Sequence, residues 1–162
     1  MTTPPTRDRD AAGRPKNARP RDGLGRPLDR TAAGEPTISD DLHLDPGEIL
    51  PLAQQLIDDG RPFHAHEVLE AAWKTVPAAE RQVWKGLAQI AVGLTHTRRG
   101  NAQGATALLR RGAQAVADYN GALPAGLDAT AVVASARGIA DRIDLTGLTS
   151  VPDEDLRLAL IS

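Results

Sequence analysis

Residues Phe63 to Gly104 read FHAHEVLEAAWKTVPAAERQVWKGLAQIAVGLTHTRRGNAQG, and the punctuation within them decides the fold. Pro62 suits the first turn of a helix, where a missing amide hydrogen costs nothing, and Pro77 ends that helix near Val76. A second helix runs from about Ala78 to Arg99, apolar almost all round, and stops at Gly100, which favours the left-handed cap. Asn101 caps a third, whose apolar stripe is Ala105, Leu108, Leu109, Gly112, Val116 and Tyr119. Three of the four histidines, both tryptophans and the single phenylalanine lie in this stretch.

The same signals extend outward. Upstream, Asp45-Pro46-Gly47-Glu48 supplies an N-cap, a proline at the first helical position and an acid placed for a capping box. Leu50, Leu52, Ala53, Leu56 and Ile57 follow as a stripe, and Gly60 closes the segment. Downstream, Gly121 and Pro124 break the chain before a helix that follows Asp128 and carries Val132, Val133, Ala136, Ile139, Ala140 and Ile143. A short sixth is expected near Pro152. No stretch alternates with period two for long enough to compete as a strand. The reading is an all-α protein: a compact bundle of five to six helices over residues 41–162, behind an extended N-terminal arm.

That arm, residues 1–40, holds six prolines, eight Arg/Lys and six Asp/Glu. Such a composition buries too little apolar surface to offset chain entropy, so disorder or extended wrapping is expected. It is internally repetitive: Arg7-Asp8-Arg9-Asp10-Ala11-Ala12-Gly13-Arg14-Pro15 returns as Arg19-Pro20-Arg21-Asp22-Gly23-Leu24-Gly25-Arg26-Pro27. The shared pattern R-x-R-D-x-x-G-R-P fits either a low-complexity tail or an arm lying over the helical body, its arginines pairing with carboxylates.

Composition narrows the function. A net charge of −2 argues against a strongly basic nucleic-acid binder. The absence of cysteine removes thiolate chemistry, disulfides and Cys-type metal sites. No apolar run approaches a membrane span and no signal-peptide pattern is present, so a soluble cytoplasmic protein is expected.

Candidate chemistry concentrates on the two central helices. On a wheel with Phe63 at zero, Ala65, Leu69, Ala72 and Val76 define the buried side at about 180–240°, with Trp73, His66 and Glu70 flanking it. Glu67 is expected towards solvent, and His64, near 100°, points away. The following helix carries a polar stripe of Gln82, Gln89 and His96 beside Gly86 and Gly93. Glycines there allow a neighbouring backbone to come close. If the preceding helix docks on that stripe, His66, Glu70, Gln89 and His96 meet in one cluster. That cluster is either a hydrogen-bonded structural network or a site, with His66, Glu70 and His96 as candidate ligands of a divalent metal and Glu67 or Glu70 as candidate general base. The run His66-Glu67-Val68-Leu69-Glu70 is not the zinc signature H-E-x-x-H. Arg99 and Asn101 form a candidate phosphate or anion site, although helix capping accounts for the same residues.

Phe63, Ala65-His66-Glu67-Val68-Leu69-Glu70, Trp73, Lys85-Gly86-Leu87-Ala88-Gln89-Ile90-Ala91-Val92, His96, Arg99-Gly100-Asn101, Gly104-Ala105 and Leu108-Leu109 together resemble the domain-of-unknown-function 309 family over about residues 47–115. The resemblance implies a small all-helical domain of mostly bacterial, soluble proteins with no established activity. The family commonly has an acid where this chain has His64, so a site using that acid is altered here. Two functions stay open: a binding or interaction module for an unknown protein or small ligand, or a metal-dependent hydrolase-like enzyme using His66, Glu67, Glu70 and His96. Substrate and oligomeric state are not legible in the sequence.

Overall fold

The computed structural model describes Leu24, Arg26 and residues 44–162. The rest of the arm, on which the expectation of disorder or wrapping falls, lies outside the described residues. Five helices follow in order: α1 (Pro46–Asp58), α2 (Pro62–Thr75), α3 (Arg81–Arg98), α4 (Ala102–Asp118) and α5 (Ala129–Thr146). Short 3-10 turns at Ala78–Glu80, Leu148–Ser150 and Asp153–Leu156 complete the regular structure, and no strand is present among the described residues. The all-α bundle is therefore found, with the expected sixth element reduced to the turn at Asp153–Leu156.

The local chemistry sets the boundaries. Glu48 reaches back to accept a hydrogen bond from the Asp45 amide at 3.2 Å. Asn101 Oδ1 accepts from the Gly104 amide at 2.9 Å, and Asp128 Oδ1 from Ala131 at 3.0 Å, each satisfying an amide that has no partner inside its helix. Gly60 and Gly100 adopt φ of +73° and +78°, the left-handed region that ends a helix at little cost for a residue without a β-carbon. After each, the chain is clamped back on the helix it has left: Arg61 N–H donates to Leu56 O at 2.8 Å, and Asn101 N–H to His96 O at 3.0 Å.

Each helix packs on its neighbour in sequence, α1 on α2, α2 on α3, α3 on α4 and α4 on α5. The closest of these contacts joins α3 to α4. A β-carbon placed on Gly112 would lie 2.5 Å from the Gly86 carbonyl oxygen and 2.9 Å from the Ile90 amide nitrogen. One placed on Gly93 would lie 2.8 Å from Leu109 Cγ. The glycine stripe of α3 thus brings α4, not α2, into close backbone contact, and the expected docking of α2 there is corrected. Gln82 on the same side donates to Ala115 O at 3.1 Å, so part of the polar stripe also serves α4.

The core runs through all five helices and takes in the C-terminal tail, where Leu156, Leu158 and Leu160 are buried. Gln54 of α1 holds that tail by its backbone, donating to Leu158 O at 3.2 Å and accepting from Leu160 N–H at 2.6 Å. Asp128 N–H donates to Leu160 O at 2.9 Å, and Leu127 forms a single antiparallel bridge with Ile161. The tail therefore links α1 to the start of α5, which otherwise stand at opposite ends of the series.

Two glycine substitutions separate packing from propensity. Gly112→Ala is expected to cost about 1–3 kcal/mol in denaturant unfolding, because the methyl group collides with backbone although alanine is the better helix former. Gly138→Ala, in α5 with nothing within 4 Å of the new methyl, is expected to stabilise by about 0.5–1 kcal/mol.

Candidate functional site

The hairpin of α2 and α3 brings the first turns of α2 to the same end of the bundle as the last turns of α3. Phe63, His64, His66, Glu67 and Glu70 come from the first, and His96, Arg98 and Arg99 from the second. The sequence candidates meet there in pairs. His66 Nε2 lies 3.1 Å from Glu70 Oε2, one turn along α2, and Glu70 Oε1 lies 3.3 Å from Lys74 Nζ. His96 Nδ1 lies 3.2 Å from Asn101 Nδ2 across the α3–α4 junction. Because Asn101 Oδ1 is taken by the Gly104 amide, its NH₂ group faces His96 and donates, which leaves Nδ1 unprotonated in the neutral ring. Gln89 is half-buried farther along the polar stripe. Among the described residues, no three His, Asp or Glu side chains gather as a metal ion would need.

Two α2 residues face elsewhere than the wheel placed them. His64 is buried, 1% exposed, with its ring edge-on to Phe63 at 5.8 Å between centroids. Glu67 is half-buried and engaged rather than turned to open solvent. The wheel assumed one neighbour for α2, whereas α1 and α3 both pack on it. The buried arc therefore widens from Ala65, Leu69 and Ala72 to include Val68 and His64.

The arginines divide their work. The Arg98 guanidinium lies over the α1–α2 turn, 3.3 Å from where a Gly60 β-carbon would sit, and 3.9 Å from Asp153. Arg99 sits above the Phe63 ring, its Cζ 6.0 Å from the centroid. Its Nε donates to the Leu24 carbonyl at 2.8 Å, and one terminal nitrogen donates to the same oxygen. Of the proposed anion pair, then, Arg99 is directed at a main-chain carbonyl and Asn101 has both ends of its side chain in the helix junction. The Leu24 contact was not legible as a site, because its acceptor is a backbone oxygen that every residue possesses. The only sequence signal is that Leu24 is the one large apolar residue within the two arm repeats.

Burial disfavours the charged form of both histidines. Burial holds the His66 pKa below its ordinary 6.5, outweighing the opposing pull of Glu70, and Lys74 adds to the depression. Its Nδ1 is buried without a hydrogen-bond partner, as is Trp84 Nε1. His96 is shifted the same way, by burial and then by the Arg99 charge. A histidine whose pKa is depressed on folding binds more protons unfolded, so its contribution is complete above about pH 6.5 and is lost as pH falls below that value through the lower folded pKa. Unfolding free energy is expected to drop as pH is lowered from neutral, and His66→Gln should flatten part of that slope in denaturant titrations. An unchanged slope in the variant would show that His66 is not one of the groups responsible.

Comparison with known proteins finds similarity over a stretch that includes this hairpin. Residues 50–108 match the model of a family described as Domain of unknown function (DUF309). The chain is also similar to "Uncharacterized protein YpuF" of Bacillus subtilis (strain 168), 46% identical over 48 residues. That match covers 29% of this chain and 28% of the relative, so the chain spans a little over a quarter of that protein's length. No solved structure matches the chain. The matched residues run from α1 into α4 and include Phe63, His66, Glu67, Glu70, Gln89, His96, Arg99 and Asn101. That stretch, a little over a third of the chain, is similar to the DUF309 model, in line with the resemblance carried by the residues of α2 and α3.

Proposed function

We propose that the protein is a binding module whose working surface is the end of the bundle where α2 begins and α3 stops. The observation that carries this reading is the grip of Arg99 on the backbone of Leu24, 75 residues away in sequence. A planar guanidinium resting on an aromatic ring loses little freedom when it forms directed hydrogen bonds. A charged donor to a neutral carbonyl is also stronger than a neutral pair. Such a group reads a peptide by its main chain, as it does Leu24 at a turn. The partner is accordingly a protein segment that offers an unshielded carbonyl, and the net charge of −2 disfavours nucleic acid. No described helix is long and apolar enough to cross a membrane, and the module is proposed to work as a soluble cytoplasmic protein.

The pairing of His66 with Glu70 and of His96 with Asn101 supports structural roles for the polar residues, as hydrogen-bonded groups that fix helix register. A metal-dependent hydrolase would need at least three of His66, Glu67, Glu70 and His96 around one ion or one water. Elemental analysis of untagged protein separates the two. The module predicts less than stoichiometric divalent metal, the same in wild type and His66→Ala. One equivalent of metal that is lost in His66→Ala would overturn the module in favour of the hydrolase.

A further inference from the structure

We infer that the surface is already occupied in cis: the chain's own Leu24 segment is its resident ligand, and any partner must displace it. The inference rests on the binding-module reading and adds the identity of the occupant. Leu24 is half-buried although it belongs to no helix or strand, and Arg99 donates to its carbonyl through two nitrogens of one guanidinium. Phe63 supports the guanidinium from α2, so both helices of the hairpin contribute to the grip. Phe63, His64 and Glu67 on the opening turns of α2, and Arg61 just before them, are all engaged in contacts.

The sequence explains why Leu24 is the contact point. Within the second repeat, Arg19 to Pro27, it stands between Gly23 and Gly25, neither of which carries a side chain. The first repeat has Ala12 at the equivalent position, with less apolar surface to bury. Recognition of a carbonyl does not depend on the side chain, so the preference for Leu24 comes from its burial.

Tethering makes the arrangement regulatory. About twenty residues separate Leu24 from the start of α1, ample to span the bundle at up to roughly 3.5 Å per residue. A segment so tethered acts at an effective concentration near the millimolar range, so even a weak grip keeps the site filled. If the segment fills it in about nine molecules of ten, a free competitor binds about tenfold more weakly than to an empty site.

The test uses the full chain and a labelled peptide with the sequence of residues 19–27, followed by fluorescence anisotropy. Wild type is compared with Leu24→Lys, which loses the half-buried leucine and sets an ammonium beside Arg99 without touching the helical body. The expected result is about tenfold tighter peptide binding by Leu24→Lys, lost again when Arg99→Met is added. Amide hydrogen exchange on the same proteins should show the arm around Leu24 protected in wild type and unprotected in Leu24→Lys. If Arg99→Met unfolds the body, Arg99→Lys replaces it, keeping the charge while removing the fork, and should weaken the peptide. Equal peptide affinity in wild type and Leu24→Lys would overturn resident occupancy, as would an arm that exchanges at free-peptide rates in wild type. Those results leave the module standing, whereas a stoichiometric metal lost in His66→Ala would remove the module itself.

Discussion

The contact between Gly86 and Gly112 is the constraint on which the rest of the bundle is arranged. With no β-carbon on either residue, α3 and α4 come together at backbone distance, and Ile90 and Val116 close over the contact. A larger side chain at either position would separate the two helices and move every side chain of α3 relative to α4. The close approach also fixes which side of α3 is left for α2. The antiparallel turn at Gly100-Asn101 can then be short, because the two helices it joins are already almost touching. Its clamp, from Asn101 N–H to His96 O, places Arg99 at the rim of the bundle.

Sequential packing alone would leave α1 and α5 as the exposed ends of a series, and the tail resolves this. Leu156, Leu158 and Leu160 alternate with Arg157 and Ala159, one side in the core and the other in solvent. That is the spacing of an extended strand, yet only one bridge forms, and Gln54 supplies from α1 the backbone partners that a neighbouring strand would otherwise provide. Ionic contacts on the surface add to the same closure, with Arg110 of α4 lying 2.8 Å from Asp141 and 2.7 Å from Asp144 of α5, and Arg142 paired with Asp155. These exposed pairs are screened by solvent and contribute little individually, so the buried leucines carry the tail.

The helices were legible because their ends are chemically marked. Asp45, Asn101 and Asp128 announce starts, Gly60 and Gly100 announce stops, and the structure places helix boundaries within a few residues of each. The glycines of α3 were also legible as a close approach, but glycine does not name its neighbour, and the assignment to α2 was wrong for that reason. His64 was misplaced because a single-helix wheel cannot count how many helices surround it. The tail was overlooked because three alternating leucines are too few to count as a strand without the Gln54 side chain, and Gln54 lies more than a hundred residues away. Pairing of His66 with Glu70 follows from their spacing of four, whereas His96 joins Asn101 through the turn geometry rather than through any periodicity.

The DUF309 match and the Leu24 contact divide the protein in an instructive way. Phe63 and Arg99 lie within residues 50–108, so the gripping side of the contact falls in the stretch similar to the family model. Leu24 lies outside it. A guanidinium that reads a main-chain carbonyl places no demand on the identity of the residue it holds, and so the two sides need not be specified together in sequence. The fold has only to keep Arg99 on Phe63, which the α2–α3 hairpin does, and any segment that reaches the rim with an exposed carbonyl and an apolar side chain can be held there. On the proposed reading, function at this end of the bundle is set by what reaches it, and the tether gives the chain's own arm the first claim.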